Sequence, residues 1–152
     1  MGGVCSNSVV IFDTKSRGIM AQVGEEGPRH MGDVLGIEVL EVTADRVTGR
    51  MPVDERTRQP YGLLHGGASV VLAETLGSVG SHFLAQAQGM HAVGIEVNAN
   101  HVRGVRSGWV HGTAVLKHRG GKLHVWSIEL VDDAGKLVCT SRLTVMLVPA
   151  NG

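Results

Sequence analysis

Aromatic residues and net charge are both scarce in this chain of 152 residues. Phe, Trp and Tyr together make up 3% of it, so its core must be built from aliphatic side chains. The 14 basic residues balance the 14 acidic ones, which removes the general electrostatic attraction to a phosphate backbone. The longest apolar run, residues 68–73, is interrupted by Ser69 and stopped by Glu74, and it is too short to span a bilayer. We therefore expect neither nucleic acid nor a membrane as a partner.

Cysteine is almost absent as well. Cys5 and Cys139 lie far apart and match no paired metal-binding or redox spacing, which is typical of a protein in a reducing compartment such as the cytoplasm. None of the eight histidines pairs with a cysteine at ligand spacing. We expect no metal site and no cofactor.

Glycine, by contrast, is abundant, with 22 residues. So many glycines indicate a core with close backbone approaches. The length suits one domain. Because a small domain with few large side chains gains from burying more apolar surface by association, we expect an oligomer.

The pattern along the chain predicts an α+β domain. Residues 1–30 are punctuated by glycine and serine, and we expect a loosely ordered leader there, with the folded domain over residues 31–152. Apolar runs at 34–42 and 46–53 favour a hairpin, and the stretch from Gly66 to about Gln86 is typical of one long helix. Four later runs, at 91–103, 109–117, 124–132 and 136–148, alternate with period two. The sequence therefore predicts an antiparallel sheet of about six strands wrapped around one long helix.

The first of these four runs has a regular alternation. The pattern places Val93, Ile95, Val97 and Ala99 on one face of the strand. On the same reasoning His91 and His101 share a face.

A carboxylate stands inside the predicted helix. Glu74 is surrounded by small and apolar residues, and an unpaired buried carboxylate is costly enough to suggest a function. A structural interpretation also remains, in which Glu74 lies at the helix edge and is paired or solvated. Upstream, His65 precedes Gly66 and Gly67, whose backbone N–H groups would point beyond the helix start and could stabilise an oxyanion. Alternatively, the two glycines only let the helix begin against a neighbouring strand.

The helix length separates these two groups. From Gly66 to Glu74 the axis rises about 12 Å, so one helix does not bring both to one carbonyl. Two antiparallel copies across a two-fold axis would do so, which predicts a homodimer with shared active sites.

At these residues the sequence resembles the hotdog-fold acyl-CoA thioesterases. The resemblance covers residues 31–148 and is densest in 51–81 and 94–103. Its specific string is Gln59-Pro-Tyr-Gly-Leu-Leu-His-Gly-Gly through Glu74, and Ile-Glu-Val-Asn-Ala-Asn-His-Val-Arg at 95–103 supports one branch. The branch it resembles contains 4-hydroxybenzoyl-CoA and 1,4-dihydroxy-2-naphthoyl-CoA thioesterases. The menaquinone-pathway member of that branch, which hydrolyses the dihydroxynaphthoyl thioester, is especially similar. The resemblance implies an acyl-CoA thioesterase that favours aromatic acyl groups. We expect it in the cytoplasm, with its homodimers pairing into a dimer of dimers.

The resemblance also implies roles for individual residues. Glu74 would act on the thioester carbon directly or through water, and Ser78 would position the water. Gln59 and the N–H of Gly66 would polarise the carbonyl, and His65 would orient the site or assist the departing thiolate. For the coenzyme A portion, the resemblance implies a phosphate contact by Arg103. The turn of Arg119, Gly120 and Lys122 offers two more cations and a flexible backbone for the same purpose.

Two alternatives to a thioesterase remain at this point. A non-catalytic acyl-CoA binding or sensing module could use the same fold. Such a module would not need the Glu74 carboxylate beside the thioester. A hotdog dehydratase would need an acidic residue paired with a histidine in a different loop arrangement, which His65 directly before Gly66 does not supply.

Overall fold

The structure, a computed structural model, describes residues 10–11 and 30–150. The helices are α1 (Met31–Leu35) and α2 (Gly66–Ala85), and the strands are β1 (Val10–Ile11), β2 (Glu38–Val42), β3 (Arg46–Pro52), β4 (Met90–His101), β5 (Trp109–Arg119), β6 (Leu123–Asp132) and β7 (Leu137–Pro149). A single 3₁₀ turn, Gln86–Gln88, continues α2. The predicted long helix and the predicted strand succession after it are confirmed.

The described strands form one antiparallel sheet in the order β1-β2-β3-β5-β6-β7-β4. Six strands of five residues or more carry the sheet, as predicted, and β1 adds two residues at one edge through the pair Val10 and Val42. The predicted hairpin is formed by β2 and β3. After α2 the chain returns to the far edge, where β4 pairs with β7. Among the described residues, no strand pairs with the other side of β4.

The sheet curves around α2, which packs against all of its long strands. Leu72, Leu76 and Trp126 are fully buried between helix and sheet. Glycines permit the close approach: a Cβ added at Gly80 would lie 2.5 Å from Cη2 of Trp126, and one at Gly77 would lie 2.6 Å from Cδ2 of Leu143. The glycine content therefore serves helix-to-sheet packing, as the composition predicts.

The apolar character of α2 has the same explanation. Residues Gly66–Gln88 are long and apolar enough to cross a membrane by length and composition, but 61% of the most apolar window is buried inside this domain. The apolar composition of α2 is therefore explained by its burial in the core of the fold.

Three expectations need correction or lie outside the described residues. The run at 34–42 is not all strand, because Val34 and Leu35 end the short helix α1, which is closed by Gly36 with φ of 70°. The leader predicted at 1–30 falls almost entirely outside the described residues, apart from β1 and His30. Cys5 lies outside them too, whereas Cys139 is a free, buried thiol in β7.

A second correction concerns the faces of β4. Gly94 pairs with Val145 and Glu96 pairs with Thr144, so Ile95 is an extra residue that makes a β-bulge. The bulge reverses the alternation: Val97 packs on the core, whereas Val93 and Ile95 are 47% and 50% exposed. The prediction that all four apolar residues share one face is therefore wrong. For the same reason His91 and His101 lie on opposite faces.

Candidate active site

Glu74 lies in the third turn of α2, where the helix faces β4. Its carboxylate sits directly against the backbone of Gly94, since a Cβ added there would lie 2.5 Å from Oε1. A side chain at position 94 would occupy the space that the carboxylate uses. The residue is half-buried, which rejects a fully solvated carboxylate at the helix edge.

Beside Glu74 runs a groove of about 590 Å³ between α2, α1 and β4, here called the Glu74 groove. Most of its walls are apolar, and Ser78 lies one helical turn beyond Glu74 on the same wall. The described lining residues are His30, Met31, Gly32, Val71, Glu74, Thr75, Ser78, Val79, His82 and Ala92. Glu74 is the only carboxylate among them, so any acid–base chemistry of a carboxylate in this groove falls to Glu74.

The start of α2 is built differently from the prediction. His65 is the N-cap residue, and its Nδ1 accepts the N–H of Gly67 at 2.8 Å. The expectation of two available glycine N–H groups is therefore wrong for Gly67. In the described part of the chain, the N–H of Gly66 forms none of the loop and cap backbone hydrogen bonds, and it stays available to a ligand.

The cap also fixes the tautomer of a neutral His65. Because Nδ1 accepts a hydrogen bond, the ring proton must be on Nε2. His65 is exposed, so its Nε2–H can donate outward. The same ring thus supports the helix start and presents a donor beside Gly66.

Gln59 is held near His65 by a tight loop. Its N–H donates to the carbonyl of Leu63 at 2.8 Å, and its carbonyl accepts from Gly62 at 2.9 Å. The N–H of His65 donates to Thr57 at 2.8 Å, which fixes the loop at the point where it enters α2. Gln59, His65 and Gly66 therefore form one group at the helix start, and none of them lines the Glu74 groove.

His101 is a residue that the sequence did not single out for this site. It ends β4, and a Cβ at Gly66 would lie 2.8 Å from its Nε2. His65 and His101 thus flank the first turn of α2. Its position within the 95–103 run could have indicated a functional role for His101. Only the packing of β4 on α2, however, shows that His101 faces Gly66.

The cations predicted to contact coenzyme A lie at opposite ends of the sheet. Arg103 follows β4 and its Nε donates to the carbonyl of Leu137 at 3.3 Å. The end of β4 is level with Leu130 of β6, whereas Arg119, Gly120 and Lys122 form the turn before Leu123. The seven residue-to-residue steps from Leu123 to Leu130 span about 23 Å of strand. One chain therefore does not bring Arg103 and this turn to one phosphate.

Groups of three or more His, Cys, Asp or Glu side chains that could hold a metal ion are not found within residues 30–150.

Comparison with known proteins settles the family. Residues 61–139 match the family model described as the thioesterase superfamily. The chain is 46% identical over 122 residues to 1,4-dihydroxy-2-naphthoyl-CoA hydrolase of Escherichia coli, covering 80% of this chain and 89% of that protein. The chain belongs to the thioesterase superfamily. The predicted membership and the hotdog fold are both confirmed.

Other similar proteins are also named as thioesterases. A proofreading thioesterase of Cronobacter turicensis is 45% identical over 114 residues, covering 75% of this chain and 82% of that one. The crystal structure of a mutant thioesterase of Pseudomonas aeruginosa superposes with a TM-score of 0.79 at 46% identity, covering 89% of this chain and 97% of that chain. The protein is thus a thioester hydrolase, and its family implies an acyl-CoA substrate. A non-catalytic binding module is not what these relatives indicate.

Proposed function

We propose that this thioesterase hydrolyses aromatic acyl-CoA, with 1,4-dihydroxy-2-naphthoyl-CoA as the first candidate substrate. The observation that carries the proposal is Glu74, whose carboxylate is the only one among the described residues that line a mostly apolar groove. An aromatic acyl group fits such walls, and a thioester needs little more than a base and carbonyl donors, because thiolate is a good leaving group. The Escherichia coli relative named for this substrate supports the choice. The proposal also places the protein in the cytoplasm, in menaquinone biosynthesis.

The proposed chemistry divides between two groups of residues. Glu74 attacks the thioester carbon or takes a proton from the attacking water, which Ser78 positions. In the direct route the C–S bond breaks as Glu74 forms an acyl anhydride, which water then hydrolyses. In the other route the water oxygen bonds to the carbonyl carbon and the C–S bond then breaks. Both routes consume one water and give the acyl carboxylate and coenzyme A, whose thiolate takes a proton that the water supplied. The N–H of Gly66 and the amide of Gln59 stabilise the developing oxyanion, and the Nε2–H of His65 is oriented to donate to the carbonyl or to the departing sulfur.

These two groups belong to different subunits in the proposed enzyme. Glu74 and Gly66 stand about 12 Å apart along α2. The edge of β4 that no described strand pairs with offers the surface for pairing. Val93 and Ile95 of this strand are exposed and apolar, and Glu74 lies directly behind Gly94. If two β4 edges pair antiparallel, two α2 helices lie side by side in opposite directions. The partner subunit's Gly66 then approaches Glu74, which completes the site.

The separation of the cations extends the same argument. Arg103 and the Arg119–Lys122 turn serve one coenzyme A only if they come from different subunits, since about 23 Å of strand lies between them in one chain. We propose that these cations come from different subunits and, as a separate proposal, that dimers pair into a tetramer.

A second candidate function is that of a proofreading thioesterase, the name given to the Cronobacter turicensis relative. The 45% identity to that protein favours it. It uses the same site, and the choice of acyl group separates the two.

The test is a thiol-release assay with purified protein across aromatic and long aliphatic acyl-CoAs. The proposal predicts a higher kcat/KM for dihydroxynaphthoyl-CoA and benzoyl-type substrates than for palmitoyl-CoA. Glu74→Gln should lower kcat by about 10³-fold or more, because it keeps the shape and removes the base. A preference for palmitoyl-CoA, or near-normal turnover by Glu74→Gln with its fold intact, would contradict the proposal.

A further inference from the structure

The Glu74 groove has a polar residue at its far end that the proposed chemistry does not use. His82 is half-buried and lines the groove two helical turns beyond Glu74. The residues Glu74, Ser78 and His82 follow one another at four-residue spacing, so they stand on one side of α2 at intervals of about 6 Å. Side chains on a helix lean toward its N-terminus alike, so these intervals hold for the side chains too.

The other polar groups of the groove already have partners. The hydroxyl of Thr75 donates to the carbonyl of Val71 at 2.7 Å. On the opposite wall, Nε2 of His30 lies 3.0 Å from the carboxylate of Asp33. Within residues 30–150 the ring of His82 is in no hydrogen bond or ion pair. Beyond Glu74 and Ser78, His82 is therefore the groove group best placed to bind a polar atom of a ligand.

Around His82 the groove is apolar. Val79 precedes it by three residues on the helix, and Ala92 and Met31 contribute to the facing walls. These surfaces can pack against the faces of aromatic rings, but they provide no hydrogen-bond partner for a ring hydroxyl. An unpaired hydroxyl buried there would cost affinity, whereas one that meets an imidazole would not.

We propose that His82 determines acyl-group specificity by hydrogen-bonding a hydroxyl on the distal part of an aromatic acyl group. This inference rests on the proposed function, and it assigns to the site a preference for hydroxylated over unsubstituted aryl-CoA. A neutral imidazole accepts from a phenolic O–H through one nitrogen and donates through the other. The thioester carbonyl is held at the Glu74 end, and the ring extends past Ser78 toward His82.

The experiment compares matched substrates that differ only in hydroxylation. These pairs are 4-hydroxybenzoyl-CoA with benzoyl-CoA, and 1,4-dihydroxy-2-naphthoyl-CoA with 2-naphthoyl-CoA. In the wild type, kcat/KM should favour the hydroxylated member of at least one pair. In His82→Phe that ratio should fall about tenfold, the value of one hydrogen bond, with little change for the unsubstituted substrate. His82→Gln, which keeps a donor and an acceptor, should retain most of the preference.

Two controls identify a merely structural effect. His91→Phe removes an imidazole from the opposite face of β4 from Ala92 and should leave the ratio unchanged. Melting temperature and native mass should match the wild type for all variants. An unchanged ratio in His82→Phe, or an equal loss for both members of each pair, would overturn the inference while leaving the proposed function standing. A wild type that hydrolyses none of the four substrates would overturn the proposed function and this inference with it.

Discussion

Gly94 is the position at which the geometry makes its sharpest prediction. A methyl group at that Cβ would lie 2.5 Å from Oε1 of Glu74, well inside the van der Waals contact distance of about 3.5 Å for heavy atoms. The carboxylate is the flexible end of a long side chain, so it yields before the backbone of β4 does. Gly94→Ala should therefore displace the carboxylate by about 1 Å.

A displacement of this size lowers the catalytic rate strongly but changes the folding stability little. A misplacement of about 1 Å in a reacting group costs on the order of 10²-fold in rate. We expect kcat for an aromatic acyl-CoA to fall by about that factor in Gly94→Ala, and further in Gly94→Ser, whose side chain is larger. Because the clash is relieved by a side chain, the melting temperature should stay close to that of the wild type.

The assay is thiol release under saturating substrate, with thermal unfolding measured on the same samples. If Gly94→Ala keeps wild-type kcat, the carboxylate does not need the position seen against β4, and the reasoning about Glu74 is refuted. A large drop in melting temperature with unchanged kcat in the folded fraction would refute it equally.

Two further predictions concern binding and pH. Arg103→Ala should raise KM several-fold with a smaller effect on kcat, since a phosphate contact remote from the carbonyl supplies uniform binding; steady-state kinetics test this, and an unchanged KM would remove Arg103 from the site. Burial lowers the pKa of His124, and the nearby Arg119 and His118 lower it further. The ring of His124 contacts the hydroxyl of Ser81 at 3.1 Å. Because of the lowered pKa, the folded state protonates His124 less readily than the unfolded state does. The stabilisation is then present above about pH 6.5 and is lost as pH falls below it, by at most about 1.4 kcal/mol per pH unit. Denaturant unfolding at pH 7 and pH 5.5 should show a shallower pH dependence in His124→Gln, and equal dependences would contradict the assignment.

Much of the fold could be predicted because its signals are local. The helix α2 begins directly after His65, with two glycines as its first residues, and the turns around Gly108 and Gly135 separate strands that alternate clearly. The bulge at Ile95 could not be predicted, since the apolar alternation runs through it unbroken and only pairing with β7 reveals the extra residue. The helix α1 could not be predicted either, because five residues are too few to show a helical period.

The candidate site divides in the same way. Glu74 could be found from the sequence because a carboxylate is unexpected in a helix whose other residues are mostly small or apolar. The neighbours of Glu74 and Gly66 could not, because Gly94 and His101 come from a strand whose place beside α2 depends on the whole sheet order. The engagement of Gly67 by His65 depends on a side-chain rotamer, which no spacing specifies.

The central claim is that each active site combines residues of two subunits, and mixing two inactive variants tests it most directly. Glu74→Ala and Gln59→Ala proteins are unfolded and refolded together, and mixed dimers are confirmed by native mass. In a random mixture about half the dimers are mixed, and each mixed dimer holds one site with both native residues, so the account predicts activity at about a quarter of all sites. If Glu74 and Gln59 served one site from the same chain, every site would still lack one of them. Recovery near zero in confirmed mixed dimers would contradict the account.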